Sequence, residues 1–210
     1  LEGFPALTGV DLTVNAGEIV FVKGPNGAGK TTLLHLCAGL IQPKEGKGQI
    51  LGHDLSSERT SIRKRVGLLS HSSGLYRDLT VLENITFWTQ IAGVEKSEID
   101  NRISWALERM ELDNKLQNQK VRSLSVGQKR RASLAVFIVR RPDLWLMDEP
   151  HAGLDQEGRQ AVDDLIEESV RAGATVIVAS HDLERVLNLA TRVVTLSGGA
   201  VVGVDHGGNK

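Results

Sequence analysis

Cysteine is almost missing from this chain: Cys37 is the single example among 210 residues. An internal disulfide is therefore excluded, and the composition fits a reducing compartment. No long apolar run is present either. The longest stretches, such as Leu134-Ala135-Val136-Phe137-Ile138-Val139, fall far short of the ~20 residues that span a bilayer. No signal-peptide pattern opens the sequence, so service to a membrane is expected to run through another chain. Charge of one sign is lacking as well. The formal net charge is −1, which leaves no bulk field to hold nucleic acid or an anionic membrane. Internal repeats and low-complexity tracts are absent, and so is any Cys-x-x-Cys-His segment for attaching haem.

What remains is ordinary globular material, 40 % hydrophobic and 24 % charged, sufficient for one large domain or two small ones. Residues Ala6 to Val14 alternate apolar and polar, which predicts a half-buried strand. Ile19-Val20-Phe21-Val22 and Val66-Gly67-Leu68-Leu69-Ser70 are continuous apolar runs, as in central strands buried on both faces. A helix is expected from Lys30 to Ala38, stopped by Gly39, and a short strand over Gly48–Gly52. From Thr80 to Val139 the pattern turns helical, opened by the Thr80-x-x-Glu83 capping box and carried by Ile99, Ile103, Ala106, Leu107 and Met110. Strand patterning returns at Leu144–Met147, Thr175–Ala179, Val193–Leu196 and Ala200–Val204. Helical stretches over Gln156–Ala172 and Leu183–Leu189 separate these strands, and His206–Lys210 reads as a fraying tail. The expected architecture is an α/β core interrupted by a helical insertion.

Three segments point to phosphate chemistry. Gly24-Pro25-Asn26-Gly27-Ala28-Gly29-Lys30-Thr31 fits Gly-x-x-x-x-Gly-Lys-[Ser/Thr] between a buried strand and a helix. Its glycines let the backbone curl so that several N–H groups face one anion, and the helix start, running on through Thr32, adds partial positive charge. Lys30 then faces the β and γ phosphates, and the Thr31 hydroxyl is a ligand for Mg²⁺. Asp148-Glu149 ends the apolar run Leu144–Met147, at the strand end where ligands sit in open α/β sheets. Asp148 is the second candidate metal ligand, and Glu149 the group to orient and deprotonate an attacking water. His181 follows the run Thr175–Ser180, where an imidazole donor would sense the γ-phosphate.

Leu124-Ser125-Val126-Gly127-Gln128 resembles the Leu-Ser-Gly-Gly-Gln signature of ATP-binding-cassette ATPases, with Val126 in place of one glycine. Ser125 can cap a helix, and Gly127 keeps backbone N–H groups open to an anion. Lys129-Arg130-Arg131, Ala135, Asp148-Glu149-Pro150 and Gly153-Leu154-Asp155 continue the family pattern, so the resemblance covers essentially the whole chain. It implies a P-loop NTPase fold, α/β, with a mixed sheet core, an antiparallel β edge and a helical subdomain. Residues 1–210 would form a single nucleotide-binding domain, with about 80–139 as the helical part. It also implies a mechanism. Two subunits sandwich two ATP molecules, Ser125, Gly127 and Gln128 of one closing over ATP on the phosphate loop of the other, while Asp155 links the two sites.

Two departures from the family pattern stand out. The family places Gln at the end of the strand Val66–Ser70, where this chain has His71. An imidazole also offers a hydrogen-bonding nitrogen but is shorter and titratable; a plain exposed loop histidine is the alternative. The family also stacks an aromatic ring on adenine near Leu1, where the nearest aromatic is Phe4. Either Phe4 substitutes, or the stacking group lies upstream or is missing. Within the family the texture of Phe4–Leu12, Leu33–Leu40 and Gly67–Thr80 resembles the ATPase subunit of the haem exporter of cytochrome c maturation. That subgroup implies integral membrane partners at the cytoplasmic face of the inner membrane, a second ATPase subunit, no nucleic acid and no direct haem binding. The rivals are the ATPase of another small exporter, for drugs, lipids or polysaccharides, and a soluble cassette ATPase acting on ribosomes or DNA ends. A P-loop kinase or GTPase fails to explain the signature and His181, and Asp113-Asn114-Lys115-Leu116 does not supply a guanine motif.

Overall fold

The computed structural model describes residues 6–70 and 72–207. Two compact units emerge from the chain's packing: Leu1–Leu68, Asp143–Glu149 and Ile166–Lys210 form one, and Leu69–Pro142 with Pro150–Leu165 the other. The elements run β1 (Ile19–Lys23), α1 (Lys30–Cys37), β2 (Gln49–Ile50), β3 (His53–Asp54), α2 (Arg59–Arg65), β4 (Val66–Leu69), α3 (Val81–Ile91), α4 (Lys96–Arg109) and α5 (Asn114–Gln117). After a single 3₁₀ turn, Val121–Ser123, come α6 (Val126–Arg140), β5 (Leu144–Asp148), α7 (Gln156–Arg171), β6 (Thr175–Ala179), α8 (Leu183–Leu189), β7 (Arg192–Ser197) and β8 (Ala200–His206).

The first unit is built on a six-stranded sheet in the order β4-β5-β6-β1-β7-β8. β1 runs parallel to both β6 and β7, β5 runs parallel to β6, and β8 closes the edge antiparallel to β7. Parallel strands covered on both faces read as nearly continuous apolar runs, and β5 and β6 are buried along their whole length, with polar residues only at the ends, Asp148 and Thr175. Val20, Val22, Leu34, Ile62, Leu146, Val194 and Leu196 meet in one fully buried cluster. Each such side chain contributes about 1.5–3 kcal/mol by leaving water. The sheet ends where the apolar runs end, and that sets the height at which Lys23, Asp148 and Ala179 release the chain.

Three expectations need correction. Ala6–Val14 is not a strand: Gly9 bridges Ala200 as an isolated pair, and the N–H groups of Thr8 and Gly9 share the single carbonyl of Gly199. The alternation there is real but reflects Leu7, Val10, Leu12 and Val14 lying on the core, with no ladder to extend the pairing. Gly48–Gly52 holds only the two residues of β2, which turns back on β3 through Leu51 and Gly52, both at positive φ. His206 belongs to β8 and pairs with Arg192; it is not part of a fraying tail.

The second unit is helical. Thr80 and Glu83 form the expected capping box at the start of α3. α6 is apolar nearly all round from Ala132 to Val139 and is buried there, packed on α3 and α4. Tyr76, Phe87 and Trp88 form an aromatic cluster, and the Arg140 guanidinium sits 5.5 Å from the Trp88 ring centre.

Candidate functional site

Sheet order decides which side chains meet. β1, β6 and β5 are adjacent and parallel, with Val22 opposite Ala179 and Asp148 opposite Ala179. Their C-terminal ends therefore share one rim, and the next residues on each chain segment, Gly24, Glu149 and Ser180, project beyond it. Glycine is obligatory at the first of these. Gly24 has φ 157°, and a Cβ there would stand 2.2 Å from the Leu196 carbonyl oxygen. Gly29, at φ 102°, is similarly closed in: a Cβ would stand 2.7 Å from the Ala6 carbonyl oxygen.

Gly29 also starts α1 without any side-chain cap, so the N-cap position itself leaves the N–H groups of the first turn uncapped. Lys30 is buried and donates from Nζ to the carbonyls of Gly24 (2.7 Å) and Pro25 (3.1 Å). An ammonium has three donors, and the loop uses two of them to hold the cation beneath the turn. Thr31 Oγ1 donates to Asp148 Oδ2 at 2.7 Å. Asp148 is the last residue of β5 and is 4 % exposed.

Glu149 is held in an unusual conformation. Its φ is 49°, left-handed for a non-glycine residue, a strain of about 1–3 kcal/mol of the kind that collects at functional sites. Its N–H donates to the Ala179 carbonyl at 2.8 Å. The Ser180 hydroxyl donates to Glu149 Oε2 at 2.9 Å, and His181 Nε2 lies 3.6 Å from Glu149 Oε1. Thr31, Asp148, Glu149 and His181, picked out one by one in the sequence, are thus brought together by the rim of the sheet. Ser180 was missed as a working residue; its place directly before His181 was the available signal.

Ser125, Gly127, Gln128 and Asp155 lie in the second unit. Ser125 Oγ accepts from Gln128 N at 3.2 Å while Gln128 Oε1 accepts from Ser125 N at 2.9 Å, a reciprocal box at the start of α6. Val126, where the family has glycine, is 72 % exposed, with its side chain beside Gly153. Gly127 has no such latitude: a Cβ there would meet the Gly153 carbonyl oxygen at 2.8 Å. Asp155 Oδ1 accepts from Gly158 N (2.9 Å) and from Arg131 Nη2 (3.1 Å), and Arg131 also pairs with Glu111. The Gly158 N–H, with Arg131 beside it, holds the Asp155 carboxyl below the usual carboxylate range.

Sequence reasoning also overlooked His151, whose Nε2 donates to Asp163 Oδ1 at 2.8 Å, both side chains buried. Its position two residues after Glu149 was the only hint. Burial pushes the Cys37 thiol up to about 12, so it offers no thiolate at neutral pH. His71, Phe4 and Leu1 lie outside the described residues.

The comparisons with known proteins agree with this geometry. A family model described as ABC transporter matches residues 7–152. The cell division ATP-binding protein FtsE of Escherichia coli K12 is 35 % identical across 99 % of this chain and 93 % of its own length. The energy-coupling factor transporter ATP-binding protein EcfA2 of Symbiobacterium thermophilum is 36 % identical across 93 % of this chain and 69 % of its own. Among solved structures, a dimeric post-hydrolysis state of the ATP-binding cassette MJ0796, bound to ADP and Pi, superposes with a TM-score of 0.86. It is 29 % identical, covering 99 % of this chain and 93 % of that one.

Proposed function

The chain belongs to the ABC transporter family, and from that premise we propose how its residues divide the work of an ATP-hydrolysing transporter subunit. It is an ATP-binding subunit of an ABC transporter and an ATPase. The cradle Gly24–Thr32 takes the phosphates, with Lys30 supplying positive charge to the β and γ groups and the first-turn N–H groups of α1 facing the anion. Thr31 and Asp148 would hold Mg²⁺. The fit is supported by their donor set: a hydroxyl and a carboxylate already in contact at 2.7 Å are two hard oxygens, and magnesium takes the rest of its shell from waters and substrate phosphates. When bound, the ion neutralises charge that builds on the phosphate oxygens.

Glu149 orients a water and accepts its proton, and His181 donates toward the γ-phosphate. The observation that carries this reading is the convergence of Thr31, Asp148, Glu149 and His181 on the rim of β1, β6 and β5. The chain is read as one nucleotide-binding domain with Thr80–Val139 as its helical part. Two copies close around two ATP molecules, Ser125, Gly127 and Gln128 of each completing the site of the other, with Asp155 linking the sites. Among the described residues no helix is long and apolar enough to cross a membrane. By the family resemblance, the reading places the chain at the cytoplasmic face of the membrane, held there by integral membrane subunits, with no role for nucleic acid.

Glu149→Gln tests the chemical core of the proposal. ATP binding should persist while turnover falls below detection and an ATP-bound dimer accumulates on size exclusion. Hydrolysis at the wild-type rate removes Glu149 as the base.

The cargo reading is haem export for cytochrome c maturation, supported by the sequence texture of residues 4–12, 33–40 and 67–80. Haem would be handled by the membrane subunits, not by this chain. The relatives described above carry names of cell division and energy-coupling factor transport, so the cargo is the part to test directly. A tagged pull-down from solubilised membranes, scanned in the Soret region, should recover membrane subunits together with haem. Membrane subunits without haem would turn the reading to another exporter, and ribosomes would turn it to a soluble cassette ATPase.

A further inference from the structure

We infer that Ser180 is a positioning residue for the base: its hydroxyl fixes Glu149 so that one particular carboxylate oxygen, Oε1, takes the proton from the attacking water. The inference rests on the reading of Glu149 as that base. Ser180 is 3 % exposed, and its Oγ has two partners. The N–H of Asp182, which can only donate, reaches it at 3.1 Å. Its one hydroxyl hydrogen is then directed at Glu149 Oε2, 2.9 Å away. An ionised carboxylate is an acceptor only, so the direction of both bonds is fixed by the chemistry of the groups.

The relay therefore runs from Asp182 N–H to Ser180 O–H to Glu149 Oε2. The backbone repeats the restraint, since Glu149 N–H donates to the Ala179 carbonyl at 2.8 Å. Consecutive residues at the end of β6 thus hold Glu149 at two points, one on its main chain and one on its side chain. Its left-handed φ of 49° is a conformation that persists only where surroundings over-determine it. The remaining oxygen, Oε1, faces His181, whose Nε2 is 3.6 Å away. Ser180 thus binds one oxygen of the carboxylate, and His181, its neighbour in sequence, lies near the other.

Without the Ser180 bond, the carboxylate can turn about its terminal torsion, a broad and soft one, and swing the lone pairs of both oxygens off the line to the water. With it, the water O–H bond breaks toward Oε1 while the water oxygen bonds to the γ-phosphorus and the bond from that phosphorus to the ADP oxygen breaks. The proton held on Glu149 then passes to solvent as ADP and phosphate leave. Misdirected bases lose rate without losing substrate, because positioning acts on the reacting geometry and not on ground-state binding.

The test compares Ser180→Ala, Ser180→Thr and Glu149→Gln in the full chain, measuring kcat, KM for ATP and the affinity for a fluorescent non-hydrolysable ATP analogue. Ser180→Ala is expected to lower kcat by about 10- to 100-fold, with KM and analogue affinity within about twofold of wild type. Ser180→Thr, which restores the hydroxyl, is expected to recover most of kcat. Wild-type kcat in Ser180→Ala beside an inactive Glu149→Gln overturns the inference and leaves the base in place. A matching loss of analogue affinity, or a threonine variant as slow as the alanine one, also overturns it by reducing Ser180 to a structural role. Turnover in Glu149→Gln overturns the base assignment itself, and the two failures are thereby told apart.

Discussion

Two helix starts carry residues assigned to the nucleotide, and they begin in opposite ways. α1 starts behind Gly29, left-handed and with no side-chain cap. α6 starts behind Ser125 with both halves of a capping box made by its own side chains. The first helix start is built open, its first-turn donors reserved for an anion, and the glycines around it give up stability for that shape. The second is finished without a ligand. Ser125 accepts from Gln128 N but keeps its hydroxyl hydrogen, so it can still donate to a phosphate brought to it. On the proposed reading, the first start meets the nucleotide within its own chain, while the second acts only when ATP is presented by a second subunit.

The largest effect expected from breaking this contrast is at Lys30. Lys30→Ala removes the cation that the loop carbonyls of Gly24 and Pro25 hold in place. A charge-assisted contact of this type contributes about 1.5–3 kcal/mol, so nucleotide affinity should fall by about 10- to 150-fold in a fluorescence titration. Unchanged affinity would undo the assignment of the open cradle. Ser125→Arg comes next. It should leave ATP binding to the isolated chain within about twofold and lower turnover by about 100-fold. Retained hydrolysis in a strict monomer would break the two-subunit picture.

Much of this was readable in the sequence, for physical reasons that also mark where the reading stops. β1, β5 and β6 were legible because strands buried on both faces admit only apolar residues, and the runs Ile19–Val22, Leu144–Met147 and Thr175–Ala179 say so. The capping box at Thr80 and the cap at Ser125 were legible because such contacts are local, within three residues. Ala6–Val14 misled because alternation reports where side chains go, not whether a backbone partner is present; the neighbouring strand is met in one isolated bridge, Gly9 with Ala200, where the Val201 N–H donates to the Gly9 carbonyl. Ser180 with Glu149, Arg131 with Asp155 and His151 with Asp163 were invisible because each contact joins residues that only folding brings together.

The smallest effects sharpen the comparison by setting α6 against α3, the other boxed helix. Thr80→Ala and Ser125→Ala should each cost about 1 kcal/mol of stability in denaturant titrations, the usual loss for a cap. Only Ser125→Ala should also slow turnover, since only that hydroxyl is read as facing a phosphate; an equal loss of turnover in Thr80→Ala would erase the distinction. The two boxes differ further in what closes them. In α3 the Glu83 carboxylate accepts from Thr80 N at 2.7 Å. The Thr80 N–H, with its hydroxyl and Lys120 beside it, lowers the Glu83 carboxyl below its ordinary 4.5. A depressed carboxylate stabilises fully above its unfolded value and loses that contribution as pH falls through the folded one. In α6 the closing group is the amide of Gln128, which does not titrate. The Thr80 amide proton should therefore shift with a midpoint below 4.5 in an NMR pH titration, while the Ser125 amide stays level over the same range. A Ser125 amide that tracks pH in step with Thr80 would mean that the start of α6 answers to a neighbouring carboxylate and is not closed by its own box.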